Sequence, residues 1–286
     1  MNEIFEHEFL LPARDGYLLS AKSFLPEDAK AAVLISSGTG FPKELYGRMA
    51  RYAAERGFAV LTYDYRGIAG SAPEEMRDFQ ADIMDWARLD FPAALDVAAA
   101  LAPGKPFFTL GHSVGAHLLG FAENAHKATA HGFITAGTGY HGAHEPGYRP
   151  KALFFWWGYG PLMLALHNHI PAGGIWGGTA LPRGVFTQWR EWSQRAGYFT
   201  DFYEQIGEHG FDRITAPIRD WTFTDDQLCS RRSADDLLGF YTAAPTEQLR
   251  LNPASLGARR IDHHGAFSRS AKGFWPLPFD WFDGFL

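Results

Sequence analysis

The chain is short of cysteine, of basic charge and of long apolar runs, and each shortage removes a class of protein. One cysteine, Cys229, stands among 286 residues. A single thiol forms no intramolecular disulfide and no cysteine-cluster metal site, and it fits a reducing compartment. Lys and Arg number 26 against 32 Asp and Glu, a net charge of −6. Nucleic-acid binding needs a basic footprint, so no nucleic-acid partner is expected. The longest apolar stretch, Ala152 to Leu166, is interrupted by Gly158, Gly160 and Pro161. It is shorter than the ~20 apolar residues that span a bilayer. The opening Met1-Asn2-Glu3-Ile4-Phe5-Glu6 lacks the basic and apolar regions of a secretory signal. These readings predict a cytoplasmic protein with no membrane partner, and they leave the oligomeric state open.

Aromatics are abundant instead: 24 Phe, 11 Tyr and 9 Trp make 15% of the chain. With 46% hydrophobic residues, disorder is excluded and a full core is expected.

Apolar runs alternate with helical patterns along the first half. Residues 3–11 and 16–24 read as two strands joined at Arg14-Asp15-Gly16. Ala31–Ser36, Phe58–Tyr63, Pro106–Leu110 and Gly132–Ala136 read as strands. The first two are continuous apolar runs of the kind buried on both faces of a parallel sheet. Helices are expected over Lys43–Arg56, over 78–101 with a kink or break at Pro92, and over Ser113–Asn124. Strand–helix–strand at this spacing predicts an α/β fold, a mostly parallel sheet covered by helices. The alternation stops near residue 140 and resumes with a strand at Pro217–Phe223, a helix near 232–241, a strand near 247–252 and a helical tail over 267–286. The expected organisation is a core of residues 1–139 and 211–286, with 140–210 inserted after the sixth strand.

Leu110-Gly111-His112-Ser113-Val114-Gly115-Ala116 fits G-x-S-x-G between a strand and a helix. Such a turn strains the serine backbone and projects its hydroxyl above the sheet. Glycines two residues to either side leave room where strand and helix converge. A serine nucleophile needs a base, and the base an orienting acid. Around this kind of turn the chain order is serine, acid, histidine. Asp225-Asp226 follow the returning strand, and His263-His264 lie beyond the last one. Either aspartate and either histidine satisfies the order. A helix N-cap is the alternative role for Ser113, but a cap does not require the flanking glycines.

These residues resemble the α/β-hydrolases, specifically the bacterial group of predicted α/β-hydrolases or serine aminopeptidase-like hydrolases. The similarity is carried by Ser37-Gly38-Thr39-Gly40-Phe41-Pro42, Leu61–Ile68, Gly111–Gly115, Thr222–Asp226 and Ile261–Gly265. It implies Ser113 as nucleophile. It favours Asp226 as acid, because Ser230 lies four residues on where the family carries a turn-forming Pro or Ser, with Asp225 the alternative as a loop-holding turn residue. It favours His263 as base over His264, with Asp262 standing where glycine is usual. It implies an oxyanion hole from the N–H groups of Val114 and Thr39, with Gly40 next. Asp64 and Arg66 are expected to be structural.

In such proteins a segment inserted here forms a cap. Residues 140–203 hold 15 of the 44 aromatics and five of the nine Trp. Rings of this kind pack a small cap core and also wall apolar pockets. Trp156, Trp157 and Trp176 are the pocket candidates. His141-x-x-His144 and His167-x-His169 have metal-compatible spacing, but no acid or thiol completes either set. No metal and no cofactor are expected. The function expected is a serine carboxylic-ester hydrolase with a small ester substrate carrying an apolar part. The alternatives are an acyltransferase or peptidase using the same acyl-serine, and a non-catalytic ligand-binding member of the fold.

Overall fold

The computed structural model describes residues 3–286; Met1 and Asn2, part of the N-terminal stretch read above, lie outside them. Eight strands among the described residues form one sheet: β1 (Ile4–Pro12), β2 (Leu18–Pro26), β3 (Ala31–Ser36), β4 (Phe58–Tyr63), β5 (Phe107–His112), β6 (Ala130–Ile134), β9 (Ile218–Phe223) and β10 (Thr246–Leu251). Their spatial order is β1-β2-β4-β3-β5-β6-β9-β10. The β1–β2 hairpin joins antiparallel to β4, and every later pairing is parallel. Two further short strands, β7 (His169–Ile170) and β8 (Leu181–Pro182), pair antiparallel outside this sheet.

The continuous apolar runs are central strands, and the period of two sorts their side chains between two cores. Ala32, Leu34, Ala59 and Leu61 face one core; Ala31, Val33, Ile35, Phe58 and Val60 face the other. The second core is closed by α1 (Gly47–Glu55) and α9 (Pro276–Asp283), the first by α3 (Phe91–Ala100) and α4 (Val114–His117). Ser36 pairs with Gly111, His112 with Ile134, and Ile134 with Trp221. The carboxyl ends of β3, β5, β6 and β9 therefore lie side by side, where open α/β sheets gather their sites.

Several helices depart from their expected bounds. The one expected over 78–101 begins with α2 (Ile83–Asp85), capped by Asp82, and runs through a π turn at Trp86–Asp90 into α3. Pro92 does not break it. It sits in the first turn of α3, and the π turn immediately before it absorbs the hydrogen bond that proline cannot donate. The helix after Ser113 is short: α4 passes into a 3₁₀ turn that ends at Phe121 rather than Asn124. Phe211 packs so closely on Gly120 that a side chain there would overlap its ring, a tertiary contact that local pattern does not report. β6 lies two residues upstream of its expected span. In the tail only Pro276–Asp283 is α-helical, preceded by 3₁₀ turns.

Between β6 and β9 the chain forms α5 (Arg149–Phe154), a π turn at Phe155–Tyr159, α6 (Gly160–His167), the β7–β8 pair, α7 (Arg183–Ser193) and α8 (Tyr203–Ile206). Trp156, Phe186 and Trp192 are buried here. No helix of the described residues is long and apolar enough to cross a membrane.

Candidate active site

Ser113 joins β5 to α4 with φ 50° and ψ −117°. A non-glycine residue there is strained and persists only because its surroundings hold it. Its N–H donates to Ile134 O at 3.1 Å, and its side chain caps no helix N–H. The flanking glycines are a steric requirement. A Cβ on Gly111 would stand 2.7 Å from Ala116 N, and one on Gly115 2.6 Å from Ser36 O. Both obstacles are backbone.

Ser113 Oγ lies 3.0 Å from His263 Nε2, and His263 Nδ1 lies 2.8 Å from Asp226 Oδ2. The structure thus joins Ser113, His263 and Asp226 in one hydrogen-bonded line. Asp226 is buried, and its other oxygen accepts from Leu228 N–H and Cys229 N–H, both at 2.9 Å. Burial pushes its carboxyl upward, but the His263 charge and these hydrogen bonds prevail and hold it below its ordinary value. It is the ionised partner that an imidazolium requires.

Asp225 lies in the turn closed by Asp226 N–H donating to Phe223 O, but its side chain does not bond within that turn. Its Oδ2 accepts from Ile261 N–H at 2.8 Å and Asp262 N–H at 3.1 Å, gripping the loop that carries His263. Asp262 has φ 55°, the left-handed conformation that glycine takes more readily, and Arg260 pairs with its carboxylate. His264 points elsewhere and stacks on Phe41, ring centroids 5.2 Å apart.

Three residues of this neighbourhood were not singled out from the sequence. His112 is fully buried, with Nε2 2.9 Å from His263 O and Nδ1 2.7 Å from Tyr46 Oη. Burial, reinforced by the His263 charge, lowers its pKa to about 3. The ring is neutral, so its one proton goes to the carbonyl acceptor and its Nδ1 accepts from Tyr46 Oη–H. Tyr46 Oη in turn accepts Gly38 N–H at 2.8 Å. Thr135, at φ 49°, donates its hydroxyl to His263 O at 2.9 Å. Gly38, Tyr46, His112 and His263 thus link the loop after β3 to the histidine loop. His112 was visible as the second residue of the motif, but nothing in the sequence pairs it with Tyr46.

Thr39 is buried in that β3 loop, and the adjacent Gly40 has φ 73°. Trp176 lies against Gly40 so closely that a Cβ would overlap its ring. Thr179 donates both its N–H and its hydroxyl to Gly40 O, at 2.9 and 3.1 Å. The three tryptophans part company. Trp176 stacks on Phe155 at 5.5 Å beside the loop. Trp156 is buried edge-on to Trp189 at 4.7 Å. Trp157 is 59% exposed, under Arg190 at 4.1 Å.

Asp64 accepts from Lys43 N–H and Gly70 N–H, and Arg66 bonds Asp15 and Asp90. Both tie loops together, and neither bonds Ser113, His263 or Asp226. His141 Nδ1 lies 2.9 Å from Ser193 O, and His144 Nδ1 2.8 Å from Leu228 O. Among the described residues no group of three His, Cys, Asp or Glu side chains could hold a metal ion.

A mostly parallel sheet with a strained serine after its fifth strand, and helices on both faces, defines an α/β-hydrolase. The sequence profile of the serine aminopeptidase S33 family matches residues 27–171. The chain belongs to that family and is a hydrolase by membership. A search of curated proteins finds no match. Among solved structures, a hypothetical protein from Pseudomonas aeruginosa is 20% identical, with a TM-score of 0.58 over 99% of this chain and 92% of that one. A soluble variant of monoglyceride lipase from Saccharomyces cerevisiae, bound to a substrate analogue, is 14% identical, with a TM-score of 0.67 over 99% and 94%. An esterase from Pyrococcus furiosus is 14% identical, with a TM-score of 0.61 over 99% and 91%. These likenesses are likenesses of fold.

Proposed function

We propose that this hydrolase cleaves a carboxylic ester through an acyl-serine intermediate. The observation that carries the reading is the line from Ser113 Oγ through His263 to Asp226, with contacts of 3.0 and 2.8 Å. His263 keeps its proton on Nδ1, held by Asp226, and presents Nε2 to the serine. As Oγ attacks the ester carbonyl, Nε2 takes its proton. Asp226 stabilises the resulting imidazolium and fixes the ring's orientation. The N–H groups of Val114 and Thr39 face the developing oxyanion. Val114 opens α4, where an N–H has no carbonyl behind it in the helix. His263 then protonates the leaving alcohol, activates water, and the acid departs from Ser113. No cofactor enters any step.

Carboxylate placement favours an ester over a peptide with a free amino terminus. Asp226 serves His263, Asp225 holds the histidine loop and Glu145 pairs with Arg250. Residues 146–190 contain no Asp or Glu, so this segment offers no anion to a substrate ammonium. We assign residues 140–210 as a cap, with Trp176 and Phe155 walling an apolar part of the substrate beside Gly40. A fluorophosphonate probe tests the reading. It is expected to label the folded protein at Ser113 and to leave Ser113→Ala unlabelled. An unlabelled wild type, or label on another residue, overturns it.

A further inference from the structure

The 45 residues from 146 to 190 carry four cations, Arg149, Lys151, Arg183 and Arg190, and no Asp or Glu. An even spread of the chain's 32 acids would place about five there. The same segment holds six of the ten exposed large hydrophobic side chains: Leu153, Phe154, Trp157, Leu162, Leu166 and Ile175, between 38% and 67% exposed. Five of the six sit on one continuous helix formed by α5, the π turn and α6. At 1.5 Å per residue this helix is about 27 Å long. Ala152, Trp156 and Gly160 of the same helix are buried, so the exposed side chains form its outer face. The π turn accommodates an extra residue, which keeps positions on either side of it facing one way.

The cations border that face without being neutralised. Arg149 donates to His144 O, Arg183 to Asn168 Oδ1 and Arg77 to Leu166 O, all uncharged acceptors. Arg190 lies over the Trp157 ring, and the Trp157 indole N–H donates to Gln194. A long apolar face rimmed by free cations, with an amphipathic tryptophan at the edge, is what an anionic lipid–water interface binds. An acid-free stretch of 45 residues, bounded by Glu145 and Glu191, within a chain of net charge −6 is a local reversal of sign that a generic solvated surface does not need. Behind the helix, Phe155 stacks on Trp176, which packs on Gly40, so the face lies close to the Ser113 site.

We infer that the outer face of this helix docks on the surface of an anionic phospholipid bilayer. The chain lies on the bilayer and does not cross it. This revises the expectation of no membrane partner, which rested on the absence of a spanning segment. Docking does not depend on the ester-hydrolase reading, and Ser113→Ala is expected to bind as the wild type does.

The test is flotation of the full chain with vesicles of phosphatidylcholine alone and with about 30% phosphatidylglycerol. Binding at least ~10-fold stronger to the anionic vesicles is expected, lost at about 1 M salt. Lys151→Glu with Arg190→Glu is expected to abolish the anionic preference. Phe154→Glu with Leu162→Glu is expected to lower binding to both vesicle types by about 10-fold or more, while turnover of a soluble ester stays unchanged. Equal binding to both vesicles by the wild type, or undiminished binding by either pair of variants, overturns the inference. So does a wild type that binds no vesicle but forms a dimer dissociated by Phe154→Glu with Leu162→Glu, which would make the face a self-association surface.

Discussion

Gly115→Ala asks whether the convergence of β5 and α4 is what presents Ser113. The added methyl would stand 2.6 Å from Ser36 O and 2.9 Å from Ser37 O. Ordinary contact needs about 0.8 Å more than the closer of these distances. Neither obstacle is a side chain that can rotate aside: one is the end of β3, the other the start of the loop carrying Thr39. The helix or the loop must move. Overpacking of this kind costs about 1–3 kcal/mol. A shift approaching 1 Å at the serine or at an oxyanion donor costs about 100-fold in rate. Gly147→Ala supplies the comparison, because nothing lies within 4 Å of its added carbon and its φ is not positive. Urea unfolding and ester turnover are measured on both variants. The expected result is a Gly115→Ala protein that folds with reduced stability and turns over about 100-fold more slowly, beside an unaffected Gly147→Ala. A Gly115→Ala protein with wild-type stability and turnover would refute the argument that backbone approach fixes the serine.

Three further outcomes follow from the same geometry. Tyr46→Phe strands Gly38 N–H and His112 Nδ1, two buried groups bridged by one hydroxyl. It is expected to lose about 1–3 kcal/mol in urea unfolding and to slow turnover. A neutral effect on both would remove the Tyr46–His112 link from the account. Asp226→Asn is expected to lower kcat by about 10⁴-fold, and Asp225→Asn by far less, because its role is to hold backbone N–H groups. Equal losses would mean that the two aspartates share one role. His131 is wholly buried, and burial lowers its pKa to about 3 from 6.5. The unfolded chain takes a proton that the folded chain refuses, so the stabilisation is present above the unfolded value and is lost as pH falls toward 3. Between pH 7 and pH 5 the stability gap between wild type and His131→Phe should therefore move by about 2 kcal/mol in the variant's favour. A gap independent of pH over this range would contradict a buried neutral ring.

The sequence announced the parts of the molecule that obey short-range rules. Val33 and Val60 lie in apolar runs because both strand faces are covered, and such runs are readable without tertiary knowledge. Gly111 and Gly115 flank Ser113 because a Cβ on either would stand within 3 Å of backbone, a constraint written into the motif's spacing. Asp225 was opaque for the opposite reason. Its acceptor role joins it to residues 36 and 37 positions away, and an aspartate holding distant N–H groups looks like one closing a turn. The helix after Ser113 stops where Phe211, some ninety residues downstream, packs on Gly120. Trp156 and Trp157 are adjacent and chemically alike, yet one is buried and the other 59% exposed. Only the helix phase set by the π turn decides which ring faces in. A π turn precedes Pro92 in the helix over 83–100, and another precedes Gly160-Pro161 in the helix over 149–167, and both helices stay continuous.

The proposed reaction is the opening of a carboxylic ester by Ser113, driven by His263 and Asp226. Its most direct measurement is turnover of a panel of p-nitrophenyl esters by the wild type and by Ser113→Ala, with the acyl-enzyme trapped by rapid acid quench and located by mass spectrometry. Hydrolysis by the wild type, an acyl group on Ser113 and a loss of about 10⁴-fold or more in the variant are expected. Undiminished turnover by Ser113→Ala, or an acyl group on any other residue, would contradict the proposed reaction.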